Sequence, residues 1–362
     1  MAKGLNIAFF GSSLLSSYWN GAATYYRGIL RALNQRGHRV TFYEPDAYDR
    51  QQHRDISEPP WARVVVYENS ADAALLQMGR AYKADIIIKA SGVGVFDELL
   101  ESAALDQKTG SNAIVFWDVD APATLDRITK NHHDPFRAKI PCYDLILTYG
   151  GGDPVRNAYK QLGARDCNPI YNALDESTHF PVDRNMRFES TLAFLGNRLP
   201  DRESRVEEFF FRAAQKLPEK EFLLGGSGWQ DKPMPANVRY LGHVPTTQHN
   251  AFNCSPLAVL NISRESMAQY GFSPATRVFE AAGAASCIIS DQWVGIEQFF
   301  EPDKEILVAR DGAEVAEQLR NLSPRRAREI GQAAHRRVGA EHTYAHRVLE
   351  LERLLTGITP TL

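Results

Sequence analysis

The run Tyr270-Gly271-Phe272-Ser273-Pro274-Ala275-Thr276-Arg277-Val278-Phe279-Glu280-Ala281-Ala282-Gly283 carries the clearest chemical signal in the chain. Ser is a favoured N-cap and Pro suits the first helical position, so a helix is expected to begin at Ser273 and Pro274 with its first amides unpaired. Free N–H groups and the macrodipole make such an end an anion site, worth about 0.3–1 kcal/mol per exposed charge. Ala275, Thr276 and Arg277 would line it. Glu280 follows two turns further in, where a carboxylate can accept hydrogen bonds from two neighbouring hydroxyls, as on a ribose. The plainer reading of the same residues is a capped helix with Glu280 paired to Arg277 one turn earlier.

Other loops offer matching chemistry. Gly196-Asn197-Arg198-Leu199-Pro200-Asp201-Arg202 combines a Gly turn with two guanidinium groups, and Arg binds phosphate in a bidentate manner. Arg202 is the first candidate there and Arg198 the second. Gly225-Gly226-Ser227-Gly228-Trp229 permits a close backbone approach to a ligand, although a simple turn has the same composition. Asn261-Ile262-Ser263-Arg264 ends an apolar run on another guanidinium. In the first half, Trp117-Asp118-Val119-Asp120 places two carboxylates on one face if the strand persists. Asp118 is the candidate for orienting or deprotonating an acceptor hydroxyl, and Asp120 either joins it or caps the helix ahead of Pro122. The loop Gly11-Ser12-Ser13 through Asn20-Gly21 suits an acceptor or a donor phosphate. His132-His133-Asp134 lies in a polar stretch where adjacent histidines are normally solvated, so no metal site is expected.

These loops must be held by regular elements, and the pattern names them. Short apolar runs without strict alternation recur at 6–10, 39–43, 63–67, 85–89, 113–117 and 144–148, as parallel strands covered on both faces require. Helical spacing separates them, as in Tyr25, Ile29, Leu30 and Leu33 before the stop Arg36-Gly37-His38. After the Pro- and charge-containing stretch 179–187 the pattern restarts, with runs at 191–195, 221–224, 238–241, 257–262, 287–290 and 305–308. Ile7-Ala8-Phe9-Phe10-Gly11 and Leu192-Ala193-Phe194-Leu195-Gly196 open the halves alike. The fold class expected is therefore α/β, two Rossmann-like domains facing a cleft, with ligands beyond the carboxyl ends of the strands. The divisions are 1–180 on the acceptor side, 181–340 for the donor, and 341–362 as a closing helix returning to the first domain.

The bulk numbers narrow the partner. The 362 residues hold 41 basic and 44 acidic side chains for a formal charge of −3, so no positive field favours nucleic acid or an anionic membrane. Apolar stretches are too short to span a bilayer, and the start of the chain lacks the form of a signal peptide, so a cytoplasmic location is expected. Cys142, Cys167, Cys254 and Cys287 are scattered, without zinc or redox spacing.

The run from Ser273 to Asp291, followed by Trp293, Gly295, Ile296, Glu297, Phe299 and Phe300, resembles the spore-maturation-protein-like glycosyltransferases, relatives of the family 4 retaining enzymes. The likeness continues in Pro302-Asp303-Lys304-Glu305-Ile306-Leu307-Val308, in Ala340-Glu341-His342-Thr343-Tyr344, and in Val115 to Pro122 and Tyr143 to Thr148 of the first half. It implies a GT-B fold and a nucleoside diphosphate sugar as co-substrate, with no further cofactor, no metal and an acceptor of unspecified class. It matches Glu280 to the Glu that contacts the donor ribose, Ser273 to Arg277 to the segment beneath the diphosphate, and His243-Val244 to the loop beside the nucleobase. It also places a basic residue such as Arg202, with Arg264 in support, against the leaving diphosphate, and it suggests retention. One departure stands out: family 4 enzymes usually carry another Glu eight positions before the ribose Glu, and that position is Phe272. Two other readings stay open on these residues. One is a non-hydrolysing nucleotide-sugar epimerase using Asp118 and Glu265, and the other is a non-catalytic, glycosyltransferase-like binding or scaffold protein.

Overall fold

The computed structural model describes residues 4–18 and 20–359. The chain forms two compact units, Met1–Tyr171 with Tyr344–Leu362, and Asn172–Thr343. In the first unit seven parallel strands lie in the order β3-β2-β1-β4-β5-β6-β7. They are β1 Asn6–Phe10, β2 Arg39–Pro45, β3 Arg63–Tyr67, β4 Ile86–Ala90, β5 Ala113–Asp118, β6 Leu145–Thr148 and β7 Cys167–Pro169. The residues of β4 and β5 are all buried, which explains their unbroken apolar character: both faces are covered by helices. The helix Ala23–Gln35 buries Tyr25, Tyr26, Ile29, Leu30 and Leu33 and stops before Gly37, whose φ of +91° ends the helical path. The last helix, Tyr344–Ile358, packs on it so closely that a Cβ at Gly28 would stand 2.2 Å from the Tyr344 ring.

The second unit repeats the design with six parallel strands in the order β10-β9-β8-β11-β12-β13. These are β8 Leu192–Leu195, β9 Phe222–Gly225, β10 Val238–Tyr240, β11 Ala258–Asn261, β12 Ile288–Asp291 and β13 Leu307–Ala309. Its core gathers Phe194, Phe210, Phe222, Trp229, Leu260 and Ile289, each fully buried. A fully buried Phe or Leu contributes about 1.5–3 kcal/mol, so this cluster holds the strand ends in place. In both sheets the chain winds outward from one central strand and then crosses to its other side. The switch points lie between β1 and β4 and between β8 and β11. In such sheets ligands bind beyond the carboxyl ends of the strands that flank the switch. No helix among the described residues is long and apolar enough to cross a membrane.

Candidate functional site

Beyond β8 and β11 the second unit places Gly196, Asn197, Ser263 and Arg264, and the geometry there is set by one buried ring. Phe194 is fully buried, and its centroid lies 5.7 Å from the guanidinium carbon of Arg202 and 5.2 Å from that of Arg277. Both side chains converge on Gly196. A Cβ there would stand 3.0 Å from an Nη2 atom of each, so only glycine leaves that space. Arg277 is aimed by its Nε bond to the Leu195 carbonyl at 2.6 Å, with Nη1 3.4 Å from Asn261 Oδ1. Arg202 is only 8% exposed and donates one Nη2 bond to the Asn197 carbonyl. Its Nε has no partner, and it forms no ion pair among the described residues.

Burial first, and then the like charge of Arg277, push the Arg202 pKa down to about 9. The guanidinium remains charged at neutral pH because its intrinsic basicity is so high. A buried cation beside a second cation, in no ion pair and only partly offset by the nearby Asp201, gains when an anion joins it. The pair is therefore a preorganised seat for a doubly charged anion such as a diphosphate.

The neighbouring arginines are engaged otherwise. Arg198 makes two bonds of 2.7 Å to Glu203 and one of 3.0 Å to Asp231. Arg264 donates Nε to Asp201, and Arg205 bridges Glu265 at 3.0 Å and the buried Asp291 at 2.7 Å. Asp291 in turn accepts from Ser263 N and Oγ, which ties the end of β11 to β12. Asn261 similarly bonds Ser290 at 3.0 Å.

The loop after β9 supports the same corner. Gly226 has φ +120°, and a Cβ there would stand 2.2 Å from the Gly196 carbonyl oxygen. Ser227 N donates to Asn197 Oδ1 at 2.9 Å, and Trp229 Nε1 donates to Gly196 O at 2.8 Å. Val244 is buried and His243 exposed on the following loop.

The helix expected from Ser273 starts later, at Thr276, with Ala275 at the cap position and no capping side chain. Ser273 instead donates Oγ to the Gly271 carbonyl, and Asn172 takes over the entry, donating to Pro274 O and accepting from Thr276 Oγ1. The cause lies in the backbone: Gly271 and Phe272 both have positive φ, at +70° and +46°, so the chain is still turning where a cap would sit. The Phe272 ring lies against Gly295, where a Cβ would meet it at 2.1 Å.

Glu280 is one-fifth exposed and does not pair with Arg277; its nearest basic partner is His179 Nε2 at 3.8 Å. His249 completes a cluster in which one ligand-type atom from each of His179, His249 and Glu280 lies within 4.8 Å of the others. Sequence spacing gave no sign of this cluster, because His249 and Glu280 lie 70 and 101 positions beyond His179. His132 and His133 are exposed and belong to no such group among the described residues.

In the first unit, Asp118 ends β5 fully buried. One oxygen accepts from Ser91 Oγ at 2.8 Å, Thr124 Oγ1 at 3.1 Å and the Asp120 amide at 3.1 Å, and the other from Tyr159 OH at 2.5 Å. Burial raises its pKa, against these hydrogen bonds. Asp120 sits at the N-cap position of the helix Ala121–Lys130 without a capping side-chain bond. Gly11 lets β1 approach Phe42, to which a Cβ would come within 2.6 Å. Ser12 donates to Asn20 at 2.9 Å, and Asn20 donates to Ser13 O and Ser16 O, so the loop is closed on itself, whereas Gly21 faces open space.

The fold has parallels among solved structures. The sucrose-phosphate synthase of Thermosynechococcus elongatus superposes with a TM-score of 0.69 at 12% identity, over 98% of this chain and 99% of that one. An alpha-glucosyltransferase in complex with UDP-glucose and DNA containing an abasic site gives 0.72 at 14% identity, over 98% and 100%. The fold is that of the GT-B glycosyltransferases. Anabaena HepE, solved in complex with UDP and glucose, shares the GT-B fold with a TM-score of 0.67 at 14% identity, over 98% and 100%. Within the second GT-B unit and beyond it, residues 202–353 match the family described as glycosyl transferase-like. That match begins at Arg202. No curated protein sequence matches the chain.

Proposed function

We propose that the chain is a glycosyltransferase that takes its sugar from a nucleoside diphosphate donor, a uridine nucleotide first among them. The observation that carries the reading is the pair of buried guanidinium groups, Arg202 and Arg277, converging on Gly196 beyond the switch-point strand, with Arg202 Nε unpartnered. The glycosyl transferase-like match over residues 202–353 and the nucleotide complexes of similar GT-B proteins support it.

In this reading the diphosphate sits over Gly196, with Arg202, Arg277 and the amides from Ala275 to Thr276 meeting its charge. Glu280 accepts the ribose hydroxyls, and the loops at Gly226-Ser227 and His243-Val244 flank the base. The bond from the anomeric carbon to the diphosphate breaks as an acceptor oxygen bonds that carbon, and the acceptor hydroxyl gives its proton to the departing diphosphate oxygen. Charge that builds on the departing diphosphate is met by groups already in place, which is the most effective form of electrostatic catalysis. The guanidinium pair does the work a cation would do there, so the reading calls on no metal for that step. Asp118, with both oxygens occupied, is assigned to holding its loop. Retention at the anomeric carbon is carried from the resemblance to family 4, and the anomeric configuration of the product, read by NMR, decides it.

The test is calorimetric titration with UDP, ADP and GDP, followed by incubation with the matching nucleotide sugars. Saturable binding of one diphosphate and slow release of free sugar support transfer. Isomerisation of the sugar would favour an epimerase, binding without turnover a scaffold, and no binding of any diphosphate would remove the reading altogether.

A further inference from the structure

The cluster around Glu280 contains more acceptors than the donor reading uses, and hydrogen-bond bookkeeping shows why that matters. Thr178 Oγ1 lies 3.2 Å from the Asp175 carbonyl and 2.9 Å from His179 Nδ1. With the hydroxyl accepting from Nδ1, the opposite nitrogen Nε2, 3.8 Å from Glu280 Oε1, offers its lone pair toward that carboxylate. His249 Nε2 lies 3.2 Å from the Val244 carbonyl, which can only accept, so Nε2 is protonated and Nδ1 keeps the lone pair. One nitrogen of each ring and a Glu280 carboxylate oxygen gather within 4.8 Å of one another, with His179 only 4% exposed.

We propose that His179, His249 and Glu280 form a binding site for a zinc-class divalent ion. Two neutral imidazoles and one carboxylate, with a fourth position left for water, are a donor set that zinc favours over magnesium or calcium. Donors around tetrahedral zinc sit about 3.3–3.5 Å apart, so closing the site asks for side-chain movements of about 1 Å. Each ring also has an oxygen partner of the kind metal-bound histidines use, Thr178 Oγ1 at His179 Nδ1 and the Val244 carbonyl at His249 Nε2, and a bond of that kind aims the other nitrogen. Arg277 is the cation whose field Glu280 feels, and its guanidinium is turned away to Leu195 O and Asn261. Because Glu280 is also the ribose ligand of the proposed function, and on that reading alone, the ion and the nucleotide exclude one another.

The test uses the full-length protein without nucleotide, so its outcome is independent of whether the donor reading holds. Zinc is titrated against a competing chromophoric chelator at pH 7.5, and cobalt(II) is added separately for its visible absorption. One equivalent of zinc and an intense tetrahedral cobalt band are expected. His179→Ala and His249→Ala should each weaken binding at least tenfold, while the double variant His132→Ala, His133→Ala binds as wild type. His249→Gln, which can still donate to Val244, guards against loss of fold and should weaken binding equally. Absence of saturable binding, or affinity unchanged in His249→Gln and His179→Ala, would overturn the site.

Discussion

Replacing Arg202 with Met gives the sharpest test of the guanidinium pair, because binding and stability should move in opposite directions. In the wild type Arg202 presents an unpartnered Nε beside Arg277, and the nearby Asp201 offsets its charge only in part. A hydrogen bond to a charged group is worth about 1.5–3 kcal/mol, so loss of this contact should weaken UDP binding about 10- to 150-fold. Uridine, which lacks the diphosphate, should bind the variant within about twofold of wild type. Stability follows a different ledger. Met fills similar space above Phe194 and removes a buried, repelled cation, at the loss of one charged-donor bond to the Asn197 carbonyl worth about 1.5–3 kcal/mol. Relief of the buried charge offsets that loss or exceeds it, so the melting temperature of the free protein should hold or rise by about 2–4 °C for each 1 kcal/mol gained. Calorimetry with UDP and uridine, beside thermal melts of the ligand-free protein, reads both quantities. UDP affinity within twofold of wild type in a folded variant would refute the diphosphate seat, and an equal loss for UDP and uridine would refute the role assigned to Arg202.

Three further outcomes follow from particular contacts. Glu280→Gln should weaken UDP by about 1.5–3 kcal/mol and abolish the preference for UDP over its 2′,3′-dideoxy analogue; a preference that survives in the variant would move the ribose elsewhere. Gly226→Ala puts a Cβ 2.2 Å from Gly196 O at a φ of +120°, so it should cost about 1–3 kcal/mol of stability by urea unfolding and reduce UDP affinity as well. Asp118→Asn should cost about 1–3 kcal/mol by stranding donors among Ser91, Thr124, Tyr159 and the Asp120 amide. It should leave UDP affinity unchanged. Its folded carboxyl is raised by burial, so its share of stability is full below the usual carboxylate range and declines as pH rises through the raised value. That slope should vanish in Asp118→Asn; a variant of wild-type stability that is dead in sugar transfer would restore Asp118 to catalysis.

The fold was legible because parallel strands covered on both faces need continuous apolar runs, and this chain supplies them at nearly every strand. Runs at 6–10, 63–67 and 113–117 became β1, β3 and most of β5. The strand left unforeseen is β7, only Cys167–Pro169, whose Asn and Pro carry no apolar run. It forms because the edge of β6 offers unpaired backbone groups, with Ile146 opposite Cys167, and such a tertiary cause leaves no trace in local composition. The late start of the helix at Thr276 has a similar origin. Ser273-Pro274 satisfies every local rule for an N-terminus, yet Phe272 is pinned at positive φ by its amide bond to Val294 O at 2.6 Å and by the space over Gly295.

Phe272 also shows where chemical inference from residue type reaches its limit. At the position where family 4 enzymes usually carry a Glu, the sequence reads as a missing functional group; the structure adds that the Phe ring is packed on a glycine with its own positive φ of +91°. A carboxylate placed there would lose that packing and would have to leave the Gly295 surface to reach anything polar. Restoring the Glu alone should therefore fail to restore whatever that carboxylate does elsewhere, because Gly271, Phe272 and Gly295 are fitted to one another. The charges that remain beyond β8 do not depend on it. Arg202 and Arg277 are set by Phe194 beneath them and by a glycine between them, both of which lie in the strand and turn that open the second unit. On the proposed function, anion binding is thus built into the switch point itself, whereas Phe272 lies on the segment where this chain departs from its resemblance.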